Sequence, residues 1–229
     1  DGDGDTDADG DADGDGDGDG DGDGDGDCPY PAGPYGNALG DILANLNFEA
    51  GNTAAIEMAG DDGTFDFCDI WANSVTNGGD LTGLFIFVTA GWCPYCSDEA
   101  GVLEEFYQSM RDDGILVLGI VSETESRAPA NAAYAASYAN RYFWTFPAVA
   151  GEVDFNYWPP ADVQSGQIGM PLNMLVDLRQ MQLYGRFAGA TTDMYMVENT
   201  LTEIATEPAW GADGSREINM DCGDGTETE

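Results

Sequence analysis

The chain has 229 residues and a formal net charge of −38 at pH 7, with six Arg, no Lys and no His. Fourteen of its 44 acids lie in the first 27 residues, so residues 28–229 carry 30 acids against six Arg, a balance of −24. Such a surface repels phosphate backbones, which excludes nucleic-acid binding, and the lack of His removes Ser-His-Asp and Cys-His catalysis.

Residues 1–27 carry Asp at every odd position, with Gly, Ala or Thr between. An EF-hand loop needs its bidentate acid at position twelve, an odd offset from position one. Every acid here lies at an even offset from every other, so formed calcium loops are not expected, only weak, diffuse cation binding. Gly supplies flexibility and Asp self-repulsion, so the stretch reads as a disordered acidic Asp-Gly tether. Its reach lies between roughly 30 Å for a neutral coil and roughly 90 Å fully extended.

The acidic start reads as that of a mature chain tethered through its N-terminus after a leader was cut away. No run of about 20 apolar residues is present, so no membrane span is expected. About 200 residues remain beyond the tail, enough for one domain with a substantial core.

Residues 28–40, CPYPAGPYGNALG, read as an irregular arm. ILANLNFEA (42–50) reads as a strand or extended lead-in. DDGTFDFCDIWANS reads as a turn, a strand and a short helix, with Ile70 and Trp71 facing the core. GLFIFVTAG is the strongest strand signal, a continuous apolar run fitting a central strand buried on both faces. A helix is predicted from about Pro94 to Asp112, with Leu103, Phe106, Tyr107 and Met110 at helical spacing. GILVLGIVSE is the next buried strand.

APANAAYAASYANRYF follows as an Ala-rich helix, FPAVAG as a short strand and residues 151–170 as a loop. PLNMLVDLRQMQLYGRFAG reads as a hairpin turning near Arg179–Gln180. TTDMYMVENTLTEIATE is the last helix, with Thr191 or Thr192 as its cap and Met194, Val197, Leu201 and Ile204 on its buried face. Residues 207–229 read as a polar tail.

Five cysteines are present: Cys28, Cys68, Cys93, Cys96 and Cys222. Cys28 and Cys222 flank the domain, and a bridge between them would clip the termini and point to an oxidising compartment. Chain position leaves open which two of Cys28, Cys68 and Cys222 bridge, and the alternative leaves all three unpaired, with Cys68 buried.

Cys93 and Cys96 lie between a buried strand and a helix start, at the carboxyl edge where open α/β sheets gather chemistry. Unpaired N–H groups and the helix dipole stabilise a thiolate there. One turn on, Cys96 can attack a mixed disulfide formed at Cys93, so Cys93 is the attacking thiol and Cys96 the resolving one. Trp92 would shield one side. A zinc site would need four ligands, the other two from the scattered Cys28, Cys68 and Cys222 or from carboxylates, and with no His and no second C-x-x-C it is not expected. A purely structural bridge across so short a loop would stabilise little.

TAGWCPYCSDEA with its flanking strands resembles the W-C-x-x-C motif of thioredoxins and of the extracytoplasmic TlpA-type family, within the thioredoxin-fold superfamily that includes redoxin and AhpC/TSA-like domains. GDILANLNFE resembles the lead-in of the TlpA and peroxiredoxin groups. IGMPLNMLVD resembles the loop that carries a cis proline opposite the dithiol. The resemblance spans about residues 40–206. It implies a thioredoxin-like three-layer α/β/α sandwich with a central mixed β-sheet, a cis peptide before Pro171, and an assisting role in proton transfer for Glu99. The competing readings are a plain loop proline and an exposed helix carboxylate.

The chain departs from these patterns at several points. Met170 stands where Thr, Val or Ile is usual. Phe87 stands where thioredoxin has a buried acid. Pro-Tyr is the glutaredoxin dipeptide, with no further likeness to glutaredoxins. The peroxiredoxin pattern fails, because Thr89 lies four rather than three residues before Cys93 and no proline precedes it.

The expected organisation is a tether (1–27), a thioredoxin-like domain with an arm (28–206) and a polar tail (207–229). The expected activity is thiol–disulfide exchange with protein disulfide or dithiol substrates and a further redox partner. Cys93, Cys96 and Glu99 would do the chemistry, and Trp92, Pro94, Tyr95, Met170 and Pro171 would line the groove. The dithiol carries two electrons, so neither a cofactor nor a metal is expected. The expected location is extracytoplasmic. The alternatives are a redox-inactive binding or structural protein and, less strongly, a peroxidase.

Overall fold

In the computed structural model the described residues are 28, 30–60, 64–76, 79–151 and 169–207. The acidic tether, most of the loop read at 151–170, and the tail that carries Cys222 lie outside them.

The chain order is β1 (Asn47–Ala50), α1 (Thr53–Ala59), β2 (Thr64–Asp66), α2 (Phe67–Trp71), β3 (Gly83–Ala90), α3 (Pro94–Ala100), α4 (Leu103–Met110), β4 (Ile115–Glu123), α5 (Ala132–Arg141), β5 (Ala148–Ala150), β6 (Leu172–Asp177), β7 (Gln182–Ala188) and α6 (Tyr195–Thr206). The strands form one mixed sheet in the order β2-β1-β5-β4-β3-β6-β7. β3 runs parallel to β4, and β4 parallel to β5. β6 pairs antiparallel to β3 and carries β7 as a hairpin partner.

The apolar run of β3 is buried at every position because both faces are covered. Phe85 and Phe87 face a core closed by α3, α4, α5 and α6, through residues such as Leu103, Phe106, Tyr138 and Leu201. Leu84, Ile86 and Val88 face the opposite core, closed by α1, α2 and the arm through Ala55, Phe67, Ile70 and Trp71. The result is the expected three-layer α/β/α sandwich.

The local departures have physical causes. The helix expected over Pro94–Asp112 breaks into α3 and α4 at Gly101 and Val102, where the Val102 N–H bonds to the Glu99 carbonyl in a tightened turn. Glycine gives up helix propensity there. Helix α1 was not foreseen; Asn52 caps it by accepting from the Ala55 N–H at 3.1 Å. Neither Thr191 nor Thr192 caps α6. Its N-cap is Met194, without a side-chain cap, and Thr191 is engaged elsewhere. Val197, Leu201 and Ile204 are buried as expected, while Met194 is only partly buried.

The Cys28–Cys222 pairing is corrected: Cys28 is bridged to Cys68, with Cα atoms 6.4 Å apart. The arm explains the choice. Tyr30 packs edge-on against Trp71 at 6.3 Å and donates its hydroxyl to the Leu43 carbonyl at 2.9 Å. These contacts lay the arm along α2, where Cys68 sits in the first turn.

Candidate functional site

β3 delivers the chain to the carboxyl edge of the sheet, and the Gly91 N–H bonds to the Glu123 carbonyl at 2.8 Å. Gly91 is a close-approach position. A Cβ there would collide with the Tyr134 hydroxyl and the Glu125 backbone nitrogen. The next residues can therefore turn tightly into α3.

Cys93 is the N-cap of α3, in extended backbone, and Pro94 occupies the first helical turn. The Cys96 N–H donates to Cys93 Sγ at 3.1 Å. The two cysteines are bridged, with Cα atoms 5.3 Å apart. Both are buried, Cys93 at 2 % exposure and Cys96 at 0 %. Pro94 is exposed, and Tyr95 stands out at 67 %.

Trp92 is half-buried against the same core as the cysteines. Its indole N–H donates to Glu123 Oε2, and the Arg127 guanidinium lies over its ring at 3.9 Å from the centroid. The register Val88 opposite Leu172 brings Met170 and Pro171 to the edge where β3 ends. The Met170–Pro171 peptide is cis, and Met170 packs against the core cluster that holds Cys93 and Cys96.

Glu99 lies three residues after Cys96, so both fall on the buried face of α3. It is fully buried, which overturns the reading of an exposed helix carboxylate. Its Oε2 accepts from the Thr191 N–H at 3.1 Å and from Asn173 Nδ2 at 3.3 Å. Oε1 has no partner among the described residues, and neither does Asn173 Oδ1. Burial pushes the Glu99 carboxyl up to about 7, against the downward pull of the Thr191 and Asn173 hydrogen bonds. The site therefore pairs a disulfide with a buried acid poised near neutrality.

Of the residues read from sequence, the structure gathers Trp92, Cys93, Pro94, Tyr95, Cys96 and Glu99 on one strand-to-helix turn. It brings Met170 and Pro171 to the same sheet edge. Cys28 lies with Cys68 against the opposite core. Sequence reasoning missed Asn173, Thr191, Glu123 and Arg127. Glu123 ends a recognisable buried strand at the functional edge, which was a usable signal. The other three join the site through tertiary contacts that no local pattern announces.

The domain has a thioredoxin-like fold, and its residues 57–154 match the AhpC/TSA family. A search of the curated proteins found no match. Among solved structures, the chain is similar to a candidate thiol:disulfide interchange protein DsbE from Chlorobium tepidum, at 14% identity and a TM-score of 0.50, over 74% of this chain and 99% of that one. It is similar to a candidate protein disulfide isomerase from Bacteroides thetaiotaomicron, at 13% identity and a TM-score of 0.50, over 76% of this chain and 93% of that one. An uncharacterized conserved protein from Geobacillus kaustophilus aligns at 14% identity and a TM-score of 0.53, over 73% of this chain and 82% of that one.

Proposed function

We propose that this domain is a thiol–disulfide oxidoreductase acting on protein substrates through Cys93 and Cys96. The observation that carries the reading is the bridged pair at the start of α3 with Glu99 buried on the same helix face. In the reduced form the Cys93 thiolate attacks a partner disulfide. A Cys93–partner bond forms, the partner's S–S bond breaks, and the leaving sulfur takes a proton. Cys96 then loses its proton to Glu99 and attacks Cys93 Sγ. The Cys93–Cys96 bond forms as the Cys93–partner bond breaks, the departing partner sulfur takes a second proton, and the partner leaves as a dithiol that has gained two electrons. The reverse sequence oxidises a partner dithiol. The couple itself supplies the electrons, so no cofactor enters.

Glu99 suits the proton transfer because a base near the working pH combines availability with driving force. Trp92, Pro94, Tyr95, Met170 and Pro171 would form the docking surface. The Cys28–Cys68 bridge supports an extracytoplasmic location, where disulfides persist. Among the described residues no helix is long and apolar enough to cross a membrane.

The test is trapping. Cys96→Ser should accumulate a mixed disulfide at Cys93, and Cys93→Ser should accumulate none. Full exchange activity in Cys93→Ser would end the proposal. Glu99→Gln should slow the resolving step by about 10²- to 10⁴-fold, the usual worth of a positioned base.

A second reading, a redox-inactive binding protein, has one observation in its favour: the 2 % exposure of Cys93. If reduced Cys93 resists alkylation by iodoacetamide while the fold is intact, that reading prevails. The peroxidase reading has less support. The Thr89 hydroxyl is buried and bonded to the Tyr138 hydroxyl at 2.9 Å, so it is not free to receive a peroxide.

A further inference from the structure

We infer that Arg127 is a specificity-determining residue of the dithiol site, where its guanidinium receives a carboxylate that flanks the cysteine of a partner polypeptide. The inference rests on the redox reading of Cys93 and Cys96.

Arg127 is exposed, and its guanidinium is held 3.9 Å from the centroid of Trp92, the residue next to Cys93. Arg111, Arg141 and Arg179 each pair with a carboxylate, at 3.3, 3.2 and 2.7 Å. Arg127 has no carboxylate at ion-pair distance among the described residues. The acids on its own loop have other partners: Glu123 accepts from the Trp92 indole, and Glu125 pairs with Arg141. A protein with a large acidic excess thus leaves one cation without an ion pair on the residue next to Cys93.

The backbone holds Arg127 in a defined position. Arg127 adopts φ 63°, a conformation that side chains other than Gly, Asn and Asp rarely take. The loop over-determines it. The Arg127 N–H bonds to the Thr124 carbonyl at 3.0 Å, and the Thr124 N–H to the Ala128 carbonyl at 2.8 Å. The Ala130 N–H closes onto Ser122 at 3.0 Å.

A guanidinium over an indole face has N–H groups left for a second partner, and they match a carboxylate. The acidic surface as a whole favours cationic partners at long range. The local cation acts at contact, where a complementary charge sets register. The occupant is therefore a polypeptide with Asp or Glu beside its redox cysteine.

The test uses two disulfide-linked peptide dimers that differ only in the residues flanking cysteine, Asp in one and Lys in the other. Reduced full-length protein is mixed with each, and second-order rate constants are compared as the Asp-to-Lys ratio. Arg127→Glu should lower that ratio roughly tenfold, Arg127→Gln by less, and Arg127→Lys should keep most of it. A residue that merely supports Trp92 would slow both peptides equally. An unchanged ratio in Arg127→Glu overturns the inference. Wild-type protein is also mixed with the uncharged hydroxyethyl disulfide. Failure to react there sinks the redox reading, and this inference with it. Reaction there with an unchanged peptide ratio sinks the inference alone.

Discussion

The Thr191 backbone N–H donates to Glu99 Oε2 at 3.1 Å, tying the loop before α6 to helix α3 across 92 positions of sequence. The contact makes the buried carboxyl part of the tertiary structure, and its proton therefore bears on stability. The folded state holds the Glu99 proton up to about pH 7, whereas an unfolded Glu releases it near 4.5. Between those values the folded state binds one more proton than the unfolded state, so stability falls as pH rises through that window. The fall is on the order of 3 kcal/mol if the whole shift is expressed. Urea unfolding from pH 4.5 to 8 should show it, and Glu99→Gln should flatten the curve across the same range.

Asn173 draws that proton affinity down, against the larger upward effect of burial. Its Nδ2 also donates to the Gly189 carbonyl at 3.2 Å, which fixes the amide between Glu99 and the end of β7. Asn173→Leu removes a donor to the Glu99 carboxylate, so the Glu99 pKa should rise further. It also strips the Gly189 carbonyl of a partner, which costs about 1–3 kcal/mol. Carbon-13 NMR titration of the Glu99 carboxyl reads the shift, and movement to lower pH would contradict this account.

The Cys28–Cys68 bridge joins residues 40 apart, against the core opposite the dithiol. Cys28→Ser with Cys68→Ser should lose about 2–4 kcal/mol of stability through the freed unfolded chain. The exchange rate at Cys93 should stay within twofold. Denaturant titration beside a single-turnover assay separates the two effects.

Gly91→Ala would force a methyl group against the Tyr134 hydroxyl and the Glu125 backbone. Overpacking of this kind costs about 1–3 kcal/mol. Here it also displaces the turn that sets Trp92, so Trp92 fluorescence and the rate of Cys93 alkylation should both change. The backbone side of the clash cannot relax, so trimming Tyr134 alone should rescue only part of the loss.

Much of this was legible in the chain because β3 and β4 are buried on both faces and read as unbroken apolar runs. Cys93, Pro94 and Cys96 follow β3 at once, so the site could be placed by local order alone. Pro171 was found through its resemblance to a loop, not through any local periodicity. What stayed hidden depends on contacts distant in sequence. Whether Glu99 was buried could not be read from α3, since its partners Asn173 and Thr191 arrive from β6 and from the loop before α6. Which of Cys28, Cys68 and Cys222 pair could not be read from chain position, which only suggested the termini; Tyr30 packing on Trp71 carries the arm to Cys68. Arg127 reaches Trp92 through a tight loop in which Pro129 marks a turn but nothing in the sequence places the Arg127 side chain on the Trp92 ring.

The central claim is that Cys93 and Cys96 form an exchanging couple and not a static staple. Its most direct test is the reduction potential of the pair, measured by equilibration with dithiothreitol and glutathione buffers. A redox couple should fall between about −270 mV, the thioredoxin value, and about −120 mV, the value of a strong oxidant. A potential below about −300 mV, the range of structural disulfides, would contradict the account.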